Sequence, residues 1–223
     1  MNELYIGNKN YSSWSLRTWL LMKHFNIPFV EHMESVDGRD NNPRLKQLAG
    51  NGKVPCLHVD GFQIWETLAI AEYLAESTPD MWPADPLARA RARSIAAEMH
   101  AGFVVLRTEM GTNLKFKLQG KPAELALQKD IDRVVAIWEN ARTEFAEGDE
   151  PYLFGAFSIA DAMFAPVVWR FHIYNVPLPA VAAAYREAML AHPAMQEWYL
   201  DALKETEAHA HYDDRAAEYG GPR

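Results

Sequence analysis

Three short stretches carry residue types that could do chemistry together: "SSW" at positions 12–14, "KVP" at 53–55 and "ET" at 66–67. Ser12 and Ser13 lie between a short apolar run, "LYI", and a strongly apolar stretch that reads as a helix from Trp14 to Phe25. A helix start presents unpaired amides and the positive end of the helix dipole, so it attracts anions, and hydroxyl side chains there add donors. Glu66 and Thr67 stand at a second expected helix start. Amides and the Thr67 hydroxyl could bind a carboxylate there while Glu66 accepts from an ammonium, a pairing that suits an α-amino acid group. Val54-Pro55 opens a strand, where proline is tolerated; a cis bond at that point would leave the preceding backbone free to pair with a peptide ligand. Lys53 could meet a second carboxylate. Together the three stretches suit a short peptide with an amino acid head, a central amide and a terminal carboxylate. Each residue also has a plain structural role open to it: Ser12, Ser13 or Thr67 as a helix cap, Lys53 as a surface charge.

The elements that would position these residues alternate in type over the first third of the chain. "LYIG" reads as a strand, then comes the Trp14 to Phe25 helix, then "FVEHMES" as a strand and a turn or short helix around "NPRLKQL". Strands "VPCLHV" and "FQIWE" follow, joined by Asp60-Gly61, a tight-hairpin signal because both residues tolerate positive φ. In "TLAIAEYLAES", Thr67, Ile70, Ala71 and Leu74 recur at helical spacing. A βαβ unit demands a parallel pair and the hairpin adds antiparallel strands, so the expected product is a small mixed sheet with helices on its faces, in thioredoxin-like order. Residues 1–78 form this unit. Prolines crowd 79–86, which reads as an ordered linker. Residues 87–210 read as wholly helical, with helices over Leu87 to about Leu106, Ala123 to Glu147, Ser158 to about Phe171, and two more starting near Pro179 and Pro193. Residues 211–223 are expected to fray. In "FSIADA", Ser158 is placed as a helix cap and Asp161 as its capping-box partner rather than a catalytic acid.

Composition bounds the function. The chain of 223 residues is 49% hydrophobic and 23% charged, values of an ordinary folded protein. A net charge of -8 argues against holding nucleic acid through phosphates. Arg89, Arg91 and Arg93 fan around a helix rather than line one groove. No apolar run is long enough to span a bilayer, and "MNELYIG" lacks the features of a signal peptide, so a cytoplasmic protein with no membrane partner is expected. The single cysteine, Cys56, excludes an intrachain disulfide and reads as a buried strand residue.

The arrangement "SSWSLR…GKVPCL…IWETLAIAEYLAE…FSIADA" resembles the cytosolic glutathione transferases over nearly the whole chain. The resemblance implies a thioredoxin-like N-terminal domain with a glutathione site, an all-α C-terminal domain supplying the pocket for an electrophile, and a homodimer. Glutathione would be the co-substrate, with no metal, and the partner a small hydrophobic electrophile. By that likeness Val54 would bond the cysteinyl backbone of glutathione with Pro55 cis, Glu66 and Thr67 would hold its γ-glutamyl group, and Lys53 would approach its glycyl carboxylate. In serine-type classes the residue donating to the sulfur maps to Ser12, with Ser13 as the alternative; Tyr5 and Tyr11 rank lower, the first within the strand and the second ahead of the matching position.

That donor is needed because a free thiol with a pKa near 8.5 is only about 3% thiolate at neutral pH. Lowering the pKa by about two units takes roughly 2.7 kcal/mol of preference for the anion. The nearest likeness is to zeta-type transferases, whose Ser-Ser-Cys motif goes with maleylacetoacetate isomerase activity; here Trp14 takes the cysteine's place. A glutathione-dependent isomerase is therefore one alternative, and a non-catalytic transferase-like binding module another. Phe103 and Arg107, four apart with His100 loosely joining them, share a face of the expected fourth helix, but neither they nor Trp169 and Phe171 are assigned to the electrophile pocket.

Overall fold

A computed structural model describes residues 1–35, 43–121, 124–146, 148–214 and 219–222. Strand β1 (Asn2–Gly7) buries Leu4 and Ile6 on one face, the alternation that a half-covered strand requires. Helix α1 (Ser13–His24) packs on that face, and β2 (Val30–Glu34) returns parallel to β1, pairing Leu4 with Glu31. After α2 (Pro43–Leu48) come β3 (Cys56–Val59) and β4 (Phe62–Trp65), antiparallel, giving a four-stranded sheet in the order β2-β1-β3-β4. Their turn holds Asp60 and Gly61 at φ 50 and 86, the paired positive values that a two-residue hairpin needs. Helix α3 (Thr67–Ser77) lies beside α1 and completes the covered face.

A 3₁₀ turn at Pro79–Met81 leads to α4 (Pro86–Ala101), capped by Asp85, whose carboxylate accepts from the Leu87 and Ala88 amides. The expected helix from Leu87 to about Leu106 is broken in two. Gly102 is extended and Phe103 takes φ 55, and α5 (Val104–Glu109) restarts from there. A side chain at 102 would bring its Cβ within 2.8 Å of the Glu98 carbonyl, so glycine permits the break. Next come β5 (Phe116–Leu118), α6 (Leu125–Phe145), α7 (Ile159–Ile173), α8 (Ala180–Ala191) and α9 (Pro193–Lys204).

Helix α7 is buried almost all round and is the axis of the helical half, touching α1, α4 and α8. It begins with the capping box expected of Ser158 and Asp161, and Asp161 also accepts from the Leu153 amide. Burial pushes the Asp161 carboxyl up to about 6 against those hydrogen bonds, so it works as a buried structural acceptor. One apolar core runs without interruption through both halves.

The described part of the chain end is built into the molecule instead of fraying. Helix α10 (Ala210–Asp213) is followed by β6 (Gly220–Pro222), which pairs antiparallel with β5, so the second half is not wholly helical. The anchors are aromatic and polar side chains spread over a segment that looks polar on average: Tyr212 stacks on Tyr11 at 5.0 Å, Asp213 accepts from Tyr11 and Asn113, and Tyr219 packs against the core.

Candidate active site

The N-terminal turn of α1 is set by serines with divided tasks. Ser12 is the cap, accepting from the Ser15 amide at 3.4 Å, and its hydroxyl lies 2.7 Å from the Ser15 hydroxyl. Ser15 in turn accepts from the Gly7 amide at the end of β1, tying strand to helix. Ser12 is half-buried and Ser13 is 9% exposed. The Ser13 hydroxyl accepts from an Arg170 guanidinium nitrogen at 3.2 Å, a contact that crosses from α1 to α7.

Beside this turn is a cavity of about 170 Å³ bounded by Lys53, Val54 and Pro55 on one side and Glu66 and Thr67 on another, with Trp14 and Asn51 completing it. The Val54-Pro55 peptide bond is cis. Glu66 sits at φ 68 and caps α3, a left-handed value uncommon outside glycine, and Thr67 is buried as the first residue of the helix. The structure thus brings Lys53, Val54, Glu66 and Thr67 to one place. Ser12 and Ser13 are not in its wall; Trp14, in the same turn, joins them to it. The unexpected member is Asn51, which donates to Glu66 at 3.1 Å and accepts from the Lys53 amide at 3.0 Å, so one side chain orients both. Its sequence signal is the "NGK" turn just ahead of the proline.

On its other side, Trp14 meets two guanidinium groups and an imidazole. The Arg17 guanidinium stacks 4.1 Å from its ring centre, Arg107 approaches at 5.5 Å, and His100 meets its edge at 5.4 Å. Arg107 donates to the Met99 and His100 carbonyls, so the break at Gly102 brings these residues together rather than a shared helix face. Burial lowers the His100 pKa, against the pull of Glu66 at 3.6 Å.

The remaining candidates are removed from this chemistry. Tyr11 has its pKa raised to about 12, first by burial and then by its bond to Asp213. Tyr5 stacks on His32 and meets a tilted His58 ring. Cys56 is buried in β3 and burial holds its thiol up at about 11, far from a thiolate at neutral pH. Phe103, Trp169 and Phe171 are core residues. Arg89 donates to the Pro83 and Ala84 carbonyls of the linker and Arg93, one turn on, pairs with Glu72, while Arg91 pairs with Glu144 on the opposite side of α4. Among the described residues no group of acids, histidines and cysteines has a metal-binding arrangement.

Sheet order and the covering helices define a thioredoxin-like unit, whose own residues line the cavity, joined to a largely helical one. Residues 11–77 match the family model for the glutathione S-transferase N-terminal domain, and residues 88–201 match the model for its C-terminal domain. The chain belongs to the glutathione S-transferase family. A probable maleylacetoacetate isomerase of Caenorhabditis elegans is 29% identical over 187 residues, 80% of this chain and 84% of the relative. The maleylacetoacetate isomerase of Pseudomonas aeruginosa is 29% identical over 205 residues, 87% of this chain and 94% of the relative. The fold is shared with a Burkholderia glutathione transferase homologue solved with bound glutathione, at TM-score 0.70 and 23% identity over 92% of this chain and 99% of that one.

Proposed function

We propose that this transferase binds glutathione in the cavity between the Val54-Pro55 turn and the start of α3, and ionises its thiol at the start of α1 for attack on a small hydrophobic electrophile. The observation that carries this is the convergence of Lys53, Val54, Glu66 and Thr67 on one cavity that Trp14 links to the Ser12 turn. Their chemistry fits the parts of the peptide: the Val54 backbone for the cysteinyl amide, Glu66 with the Thr67 hydroxyl for the γ-glutamyl ammonium and carboxylate, Lys53 for the glycyl carboxylate. Ser12, half-buried at the helix start, is taken as the thiol donor, its proton turning from Ser15, to which it donates at 2.7 Å, to the sulfur; Ser13, which accepts from Arg170 and keeps its own proton, is the alternative. A hydroxyl donating to the sulfur and the positive end of α1 both favour the anion.

The test is the pKa of bound glutathione, read from thiolate absorbance, with the conjugation rate beside it. Ser12→Ala should raise that pKa toward the free value and slow conjugation at neutral pH by about tenfold or more, the effect of one pKa unit. Ser13→Ala should shift it less. Unchanged values in both variants would sink the donor assignment, and failure of the native protein to bind glutathione at millimolar concentration would favour a binding module.

The relatives named maleylacetoacetate isomerase favour a second reading, in which the same thiolate serves a cis–trans isomerisation. Turnover of maleylacetoacetate with little activity on general electrophiles would establish it. Both readings place the protein in the cytoplasm as a homodimer. The edge of β4, unpaired among the described residues, with Phe62 72% exposed, and the exposed Tyr73 on α3 support self-association there. Sedimentation should give twice the mass of the chain, and Phe62→Glu should lower it.

A further inference from the structure

Two arginines at the junction of the halves are nine-tenths or more buried and lack an acidic partner among the described residues. Arg17, on α1, is 1% exposed; its Nε donates to the Met163 carbonyl at 2.8 Å, and neither terminal nitrogen has a hydrogen-bond partner among the described residues. Arg170, on α7, is 4% exposed; Nε donates to the Met110 carbonyl at 2.8 Å, one terminal nitrogen to Ser13, and the other to none of the described residues. Arg107 on α5 adds a third positive charge felt by both.

The groups facing this cluster do not cancel it. Glu66 is shared by Asn51 and His100, and Asp130 on α6 accepts from the Leu106 amide and faces Arg107. Asp213 is bound by Tyr11, Asn113 and the His209 amide. Tyr174 and Tyr212 also lie near Arg170, and neither is a carboxylate. Burying a cation without a counter-charge is costly, and a fold that keeps one gains most where an anion comes to it. The nearest such place is the opening turn of α1, to which Arg170 is already hydrogen-bonded.

We propose that Arg170 is a positioning residue for glutathione ionisation, anchoring the first turn of α1 through Ser13 and setting a buried, unpaired positive charge beside the point where the thiolate forms. The inference rests on the glutathione reading above. It gives the helical half a part in activating a thiol held by the other half, and Arg17 and Arg107 strengthen the same field around Trp14. In a water-poor junction a fixed charge acts at far greater strength than in solvent, and salt screens it little.

The experiment measures the pKa and affinity of glutathione on the native protein, Arg170→Gln and Arg170→Lys, with thermal unfolding as the check on folding. Arg170→Gln should raise the bound thiol's pKa by about one unit, cutting the thiolate fraction at neutral pH about tenfold. Arg170→Lys, keeping the charge but not the fork, should recover most of that shift. Equal shifts in both variants would reduce Arg170 to packing, and no shift in Arg170→Gln would overturn the proposal. Should Arg170→Gln not fold, Ser13→Ala carries the test: loss of the anchor alone should raise the pKa by about half a unit, roughly threefold in thiolate, and no change would overturn it. A native protein that binds no glutathione would instead fail the underlying reading, a separate result.

Discussion

Tyr11 is the neighbour of Ser12 and carries an acidic hydroxyl of its own, so its exclusion has to be chemical. Its hydroxyl meets Asp213 at 3.0 Å, its ring stacks on Tyr212 and meets the edge of His209, and burial drives its ionisation away from neutrality. Tyr11→Phe should therefore leave the pKa of bound glutathione unchanged while lowering stability by about 1.5–3 kcal/mol, the worth of a hydrogen bond to a charged group. Urea unfolding and thiolate absorbance measured on one preparation separate the two effects. The backbone settings of Val54, Pro55, Glu66 and Thr67 are legible in the sequence because they are local: a proline at a strand start and a pair at a helix start announce them. Asn51 is legible only in part, through the "NGK" turn in which it accepts from Lys53, because its other partner, Glu66, lies 15 residues on; Arg170 is not, since Ser13 lies 157 residues away.

At the scale of elements, periodicity located the strands and most helices, and failed where a break depends on one backbone position. The run through Gly102 keeps helical spacing on both sides, so nothing in its pattern reveals that Phe103 turns left-handed. Helix α9 shows the opposite case, a start visible as Pro193 whose cap is not a usual one. His192 accepts from the Ala194 amide through Nδ1, and its Nε2 lies 2.8 Å from Nδ1 of His24 on α1. The cap requires a neutral ring whose Nε2 proton points at His24. Burial and then His24 lower the His192 pKa from 6.5 to about 4, and burial lowers that of His24. Because the unfolded ring binds its proton near 6.5 and the folded ring does not, the stability from His192 is complete above that value. It is lost as the pH falls toward 4, up to about 3 kcal/mol. His192→Asn keeps a capping oxygen and removes the titration. Its melting temperature should fall less than that of the native protein between pH 7 and pH 5; parallel curves would show that the pair does not govern acid stability.

Across the whole molecule, the loop between β1 and α1 is held from the far end of the chain, a connection that no local pattern encodes. Lys9 is only 5% exposed, yet its ammonium lies 2.9 Å from both Glu31 on β2 and Asp201 on α9 and sits over the rings of Trp19 and Trp198. The Trp198 indole donates to the Lys9 carbonyl, while Glu205 accepts from the amides of Lys9 and Asn10. In the sequence Lys9 is one cation in a polar turn; only the return of α9 and the segment after it makes it a centre. The two acids are each about a third exposed, so water recovers part of what they lose if the lysine goes. Lys9→Met should then destabilise the protein by about 2 kcal/mol, below the 3–5 kcal/mol typical of breaking a fully buried pair, because Glu31 and Asp201 are left facing each other. Adding Glu31→Gln and Asp201→Asn removes that repulsion, and the triple variant should regain most of the loss in urea unfolding. If the triple variant were no more stable than Lys9→Met, the lysine would matter through its contact with the two tryptophans rather than its charge. In that case methionine's shorter reach over the rings, not two stranded acids, would account for the loss.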